Sequence, residues 1–460
     1  MGRDLSQKLL LLLKYDLKIA SETDLDRLLA LLTEAARQVL EADRCTVFLV
    51  DRRTGQLWSK LAQGMETKTI LLRKGQGLAG QAFLTRKTVN VHDVYADSRF
   101  SRHVDVQTGY RTKSALVMPM WDSKNQNVLG VFEVLNKKRG WFTQEDERLL
   151  TILSDHASVA VENSQLYDDL KQAQQETIFR LALMAEHRDQ HDTAAHLKRV
   201  SVYTCLMAET MGMGPEEIEM IRLASTLHDI GKVATPDAIL LKTEKLTATD
   251  LGAIEYRLAW WSEKLKLVDA PAERLKEISR FAEEIRQANR PSSTEMPEPL
   301  TARIRHIGSQ RFMDRDGKVK PLLTADEVRK LTIVRGNLTE SEWEEICKHT
   351  IYGAKILAQA DSQLMRMAER IALTHHEKYD GSGYPKGLKG SHIPMEGRIV
   401  GLVDVFDALS SRRVYKQRWS FEDVVAHLKR ESGKHFDPKI VKVFLKALPG
   451  IRQAMKDLSA

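Results

Sequence analysis

The amino-acid sequence predicts a multidomain fold. An α+β domain, an antiparallel sheet with flanking helices, is joined by a long helix to an all-α domain that carries a mostly helical insertion. Three observations predict this. The chain has 460 residues, too many for one hydrophobic core. Helix-period and strand-period apolar patterns alternate up to about Leu166, whereas from about Thr177 onward the pattern is almost wholly helical. Between the two zones one helical pattern continues without a break.

Composition sets the outer limits. Hydrophobic residues make up 42% and charged residues 29% of the chain, the ordinary balance of a globular protein. Cys45, Cys205 and Cys347 lie far apart and form no CxxC pair, which points to a reducing, cytoplasmic setting without a disulfide framework. The net charge of +7 is mild, and its basic residues are dispersed among acids, so nucleic-acid binding is not implied.

Residues 1–23 are expected to form an N-terminal helix. Their apolar stretch, Leu9 to Lys14, is too short to span a bilayer, and no small-residue cleavage site follows it. A buried or dimer-forming helix is the better reading. No membrane association is expected.

Residues 24–166 make up the α+β domain. "LDRLLALLTEAARQVL" has helical periodicity, and "CTVFLVD", "KTVNVHD", "SALVMPMWD" and "NVLGVFEVLNK" read as strands. Thr143 and Asp146 make a capping box at the start of the long helix. The stretch 155–180 is its linker part, where Leu153, Ala157, Ala160, Leu166, Leu170 and Ala173 outline an imperfect seam for a two-stranded parallel coil.

The helical domain covers 177–460. Inside it "KLTATDLGAIEYR" (Lys245 to Arg257) is echoed by "NLTESEWEEICKH" (Asn337 to His349). The charged block between the echoes, about 258–336, reads as an insertion with a loop at Pro291 to Pro299.

This domain also collects metal-ligand types. Asp192 and His196 stand one helical turn apart, His228 and Asp229 are adjacent, and His349, the pair His375–His376, Asp404 and Asp407 follow. Each alone is weak, since a lone histidine on a helix is more often a satisfied core or surface residue than a ligand. Several lie in apolar helical contexts such as "STLHDIGKV" and "RIVGLVDVFDAL", however, where a carboxylate costs several kcal/mol unless paired or metal-bound. Imidazoles mixed with carboxylates suit Fe, Mn, Zn or Ni rather than Ca.

"LHDIGK" with the distant Asp404 resembles the HD superfamily of metal-dependent phosphohydrolases. "HHEKYDGSGYPKGLKGSHIP" and "RIVGLVDVFDALSSRRVYK" resemble its HD-GYP branch, bacterial enzymes that hydrolyse cyclic di-GMP. The resemblance implies that His196, His228, Asp229, His349, His375, His376 and Asp404 bind two divalent metal ions, Fe or Mn, with Asp229 bridging them. Asp192 stands where some members hold a third metal, against a capping or surface role. The resemblance assigns catalysis to Asp229 and Lys232; Lys232, expected on the same helix as His228, would stabilise the leaving oxygen. It assigns substrate contacts to Lys232, Gly383, Tyr384, Pro385, Arg413 and Lys416. The third histidine is displaced, because Arg257 ends the first echo and His349 the second. His349 is taken as the ligand.

"GQGLAGQAFLTRKTVNVHDVYADSRF" and "GYRTKSALVMPMWD" resemble a GAF domain. Asn136, Lys137, Phe142, Asp146 and Glu147 match the NKFDE motif of cyclic-nucleotide-binding GAF domains, and the Lys–Asp spacing suits a buried structural salt bridge. A cyclic nucleotide is the first expectation for its ligand, and a ligand-free dimerisation module the second.

The expectation for the whole is a homodimeric signalling enzyme. It would hydrolyse cyclic di-GMP to linear pGpG, and on to GMP, under control of the GAF domain. The alternatives are a cyclic-dinucleotide receptor and a hydrolase of cyclic GMP-AMP.

Overall fold

The computed structural model describes residues 4–59, 70–102, 105, 106, 109–124, 126–186, 193–291, 295–358, 361–411 and 419–458. Two compact units divide at Gln174 and Gln175.

The first unit opens with α1 (Leu5–Ser21), then α2 (Leu25–Val39), capped by Asp24, whose carboxylate accepts the Arg27 amide. A six-stranded antiparallel sheet follows: β1 (Ala42–Val50), β2 (Leu57–Ser59), β3 (Ile70–Leu72), β4 (Val89–Val91), β5 (Ala115–Trp121) and β6 (Val128–Lys137). Their spatial order is β3-β2-β1-β6-β5-β4. The sequence had marked β1, β4, β5 and β6. Strands β2 and β3 are three residues each, too short to show a period.

Alternation along the strands divides the apolar residues between two cores. Cys45, Val47 and Leu49 of β1, with Phe132 and Val134 of β6, face Leu28, Leu32 and Ala36 of α2. On the other face Phe48 and Val131 meet Leu78, Ala79 and Ala82 of α3 (Gly77–Thr85). Each such leucine contributes about 2 kcal/mol by leaving water. Helix α4 (Gln144–Glu186) lays Leu149, Leu153, Ala157 and Ala160 on the α2 side. Half of the expected coiled-coil seam is therefore consumed inside this unit, while Leu166 and Leu170 stay exposed.

The second unit contains α5 (Thr193–Thr210), α6 (Pro215–Ser225), α7 (Asp237–Leu240), α8 (Ala248–Leu267), α9 (Ala272–Asn289), α10 (Glu298–Ser309), α11 (Ala325–Leu331), α12 (Glu340–Cys347), α13 (His349–Leu357), α14 (Gln363–Thr374), α15 (Met395–Ser410), α16 (Phe421–Arg430) and α17 (Pro438–Asp457). Its main core is built from α5, α14, α15 and α17, with Phe406 packed edge-on between Tyr203 and Phe444 at 5.5 and 5.0 Å.

Helices α8 to α11 form a separate core that includes Leu246, Ile254, Trp261, Phe281, Ile304 and Leu331. This core begins at Leu246, ahead of residue 258, because α8 as a whole packs with the inserted helices. A two-stranded hairpin, β7 (Arg311–Met313) and β8 (Val319–Pro321), turns at "DRDGK". The two ends of the block are tied together. The Asn337 amide donates to the Lys242 carbonyl, and Lys242 Nζ lies 2.8 Å from both oxygens of Glu342. Buried Lys245 donates to the carbonyls of Ile333 and Leu331 at 2.8 and 3.2 Å. Among the described residues no helix is long and apolar enough to cross a membrane.

Candidate metal centre

Helices α4, α5, α13, α14 and α15 of the second unit send side chains to one buried point. His196 comes from α5, His349 opens α13, His375 caps α14 with His376 beside it, and Asp404 lies on α15. His228 and Asp229 sit in the turn after α6. The helix expected to carry both His228 and Lys232 is not formed. A 3-10 helix, Ile230–Ala234, follows the turn instead. This turn runs tight against α13: a Cβ at Gly231 would stand 1.9 Å from the His349 carbonyl oxygen and 2.4 Å from the Gly353 amide nitrogen. Only a glycine lets this turn and α13 touch.

Four imidazoles are held through Nδ1, which aims each Nε2 inward. His228 Nδ1 bonds the Ser225 carbonyl at 2.9 Å, His349 Nδ1 that of Ile346 at 2.6 Å, and His375 Nδ1 those of Ile371 and Ala372 at 3.1 Å. His196 Nδ1 meets Asp407 Oδ2 at 2.8 Å, and Arg199 Nε grips the other oxygen of Asp407 at 2.6 Å.

Two groups result. Asp229, His349, His375 and His376 form one, and Glu186, His196 and His228 the other, with the donor atoms of each group within 4.8 Å of one another. Asp229 stands between them. Its Oδ1 lies 3.1 Å from His349 Nε2 and 3.5 Å from His375 Nε2, and its Oδ2 lies 3.4 Å from His228 Nε2. Asp404 Oδ1 lies 3.7 and 4.0 Å from Nε2 of His196 and His228.

The donor set fits divalent metal ions. His228 Nε2, His349 Nε2, His375 Nε2, Glu186 Oε1 and Asp229 Oδ1 are buried yet none makes an aligned hydrogen bond. An orphaned buried polar atom costs about 1–3 kcal/mol, so five converging orphans need a common partner. Burial would raise the Asp229 carboxyl, but Lys232 and His228 outweigh it and hold it well below the usual range. Burial and the neighbouring His375 push His376 well down, into the neutral form that can ligate.

Glu186, the last residue of α4, was not among the sequence candidates. The usable signal was an acid closing the apolar run "LALMAE", ten positions before His196. Asp192 lies outside the described residues, as do Arg413 and Lys416. Lys232 Nζ is 2.8 Å from Asp229 Oδ2, at the edge of the cluster. Arg257 is elsewhere, paired with Glu327 of the inserted block.

The turn after His376 folds back on the cluster. The Tyr384 amide bonds the His376 carbonyl at 3.3 Å, and the Tyr384–Pro385 peptide is cis. At Gly383 a Cβ would stand 2.6 Å from the His376 carbonyl oxygen. Buried Glu377 accepts the amides of Lys386 and Leu388 and holds the far side of the loop. The Tyr384 ring packs 4.9 Å from His376 and 6.1 Å from the exposed Trp343.

In the first unit the second set of candidates is structural in its contacts. Lys137 Nζ meets Asp146 at 2.6 Å and the Leu40 carbonyl at 2.7 Å. Asn136 accepts the Lys113 and Ser114 amides, and Asn90 ties the Phe142 carbonyl to Glu147.

Comparison with known proteins agrees with this division. A GAF domain model matches residues 24–161, one HD domain model matches 193–307, and a second HD domain model matches 324–440. A 3'3'-cGAMP-specific phosphodiesterase 2 of Vibrio cholerae is 31% identical over 300 residues, 65% of this chain and 40% of the relative. The cyclic di-GMP phosphodiesterase response regulator RpfG of Xanthomonas campestris is 29% identical over 286 residues, covering 62% and 51%. A cyclic di-GMP phosphodiesterase of Thermotoga maritima is 29% identical over 266 residues, covering 58% and 47%. The chain thus spans about half or less of the length of these relatives. The chain carries a GAF domain followed by two HD-domain matches.

Proposed function

We propose that this chain is a metal-dependent phosphodiesterase that hydrolyses cyclic di-GMP to linear pGpG, and on to GMP. The observation that carries the reading is the set of five buried nitrogen and oxygen atoms, none in an aligned hydrogen bond, that cluster at Asp229. His349, His375 and His376 would hold one ion, Fe or Mn, and Glu186, His196, His228 and Asp404 a second, with Asp229 shared. Bound there, the ions supply Lewis acidity, activating water and neutralising phosphate charge.

The chain's own residues do the remaining work. Asp407, itself clamped by Arg199, keeps the His196 ring turned with Nε2 inward. Lys232, held beside Asp229, brings an ammonium to the edge of the cluster, where it offsets charge developing on the leaving 3′ oxygen. Tyr384 packs beside His376, a position that supports a substrate contact. Arg413 and Lys416 keep the phosphate and base contacts that the family resemblance assigns them.

Names of relatives support two cyclic dinucleotides as substrate classes, cyclic di-GMP and 3'3'-cGAMP. The second is the alternative reading. Incubating Mn- or Fe(II)-loaded protein with each dinucleotide and separating the products by chromatography distinguishes them. Faster appearance of pGpG than of the linear product from cGAMP supports the first reading; the reverse order supports the second, and no linear product from either ends both. The GAF unit is the regulatory part of this reading. The exposed Leu10, Leu13 and Leu17 of α1 support a homodimer.

A further inference from the structure

The first unit holds a cavity of about 130 Å³ beneath α3. Its lining is mostly apolar, with Phe48, Leu78, Phe100 and Leu135 contributing to it. Among its polar residues one stands apart. Glu133 sits in the middle of the central strand β6, opposite Thr46 of β1 and Val117 of β5, on the apolar α3 face of the sheet. Among the described residues it makes no hydrogen bond and no ion pair. It is enclosed by protein yet keeps part of its surface uncovered, as expected of a side chain that opens onto the cavity.

A carboxyl in such a place costs several kcal/mol when ionised and gives the fold nothing in return. The other acid of the lining, Asp105, is fully used: it accepts the Thr112 amide at 2.8 Å, the Thr112 hydroxyl at 2.7 Å and the Tyr95 hydroxyl at 3.0 Å. Asp105 adds negative charge without needing a ligand. Arg44, the cation among the described lining residues, packs its guanidinium 3.7 Å from the Tyr110 ring centroid.

Size and charge then select the occupant. Cavities of roughly 150 Å³ take up benzene, so this one suits a single small ring or its equivalent rather than a whole nucleotide. A phosphate brought near Glu133 and Asp105 would be repelled, whereas a cation would supply the partner Glu133 lacks. We propose that the cavity binds a small organic amine, a ring-sized apolar body bearing one protonated nitrogen, with Glu133 as its counter-ion. It is a different ligand class from the cyclic nucleotide expected from the sequence, and it is independent of the substrate of the metal centre. Burial together with Asp105 pushes the Glu133 carboxyl up to about 7, which an adjacent ammonium would reverse.

Isothermal titration of the full chain with benzylamine, benzyl alcohol and benzoate, three probes of one size and three charges, tests the proposal. Benzylamine is expected to bind at least tenfold tighter than benzyl alcohol, and benzoate not at all. Glu133→Gln keeps the shape of the side chain and is expected to lose at least tenfold in benzylamine affinity, with benzyl alcohol unchanged. Binding of benzoate or cyclic GMP as tight as that of benzylamine overturns the proposal. So does an unchanged affinity in Glu133→Gln, or no binding by benzylamine. Should that variant not fold, the ranking of the three probes on the wild-type chain decides.

Discussion

Asp407 Oδ2 lies 2.8 Å from His196 Nδ1 while its other oxygen is gripped by Arg199, so one buried carboxylate orients a ring whose far nitrogen faces the candidate metal centre. Partners of this kind fix ring orientation and tautomer without touching the ion. Asp407→Asn is expected to weaken metal binding about 10–100-fold. Asp407→Ala also removes the ion pair with Arg199 and is expected to cost about 1–3 kcal/mol of stability. Competition against a chelator of known affinity reads the first effect and urea unfolding the second. Full metal affinity in both variants would remove Asp407 from this role.

Gly231 is expected to tolerate no side chain. Its Cβ would collide with the His349 carbonyl and the Gly353 amide, both backbone groups that cannot swing away. Gly231→Ala therefore forces α13 off the turn and carries His349 with it. A destabilisation of about 2–3 kcal/mol is expected, with loss of metal that raising its concentration only partly restores. Wild-type metal content in a folded Gly231→Ala protein would show that the turn and α13 separate freely.

His349 and Arg257 close the two sequence echoes, yet only His349 reaches Asp229, and Arg257 pairs with Glu327. His349→Ala is expected to lower the metal content by about one ion per chain and abolish turnover. Arg257→Ala should keep the metal content while loosening the inserted block by about 1–2 kcal/mol. Elemental analysis of the two purified variants checks this, and metal loss in Arg257→Ala would contradict it.

The Glu133 carboxyl carries a pH signature. Burial and the Asp105 charge raise it to about 7 in the folded chain, against about 4.3 when unfolded. Between those values the folded state holds a proton that the unfolded state has released, so stability falls as pH rises through this window. Glu133→Gln lacks this term. The stability of wild type relative to the variant should therefore drop by on the order of 2 kcal/mol from pH 4.5 to pH 7.5. Urea unfolding at both values measures it, and a pH-independent difference would mean that Glu133 is solvated.

Much of this molecule was readable before any coordinates. Adjacent pairs such as His228–Asp229 and His375–His376 carry their chemistry in local spacing, and strands β1, β5 and β6 are long enough to show alternation. What stayed hidden depends on distance along the chain. Glu186 becomes a candidate ligand only because the end of α4 packs within 3.8 Å of His228, a closeness no local pattern encodes. The base of the inserted block rests on Lys242 meeting Glu342 and on Lys245 reaching Ile333, contacts spanning 100 and 88 positions. Glu133 was not among the sequence candidates, because the cavity behind it exists only once α3 is laid across the sheet.

The most direct measurement is turnover of cyclic di-GMP by the full chain, followed by chromatography through one cycle of chelation and metal return. Linear product is expected from the metal-loaded protein, none after chelation, recovery with Mn or Fe(II), and none at any stage from Asp229→Ala. Undiminished turnover in the chelated protein or in Asp229→Ala, or no linear product from the metal-loaded wild type, would contradict the account.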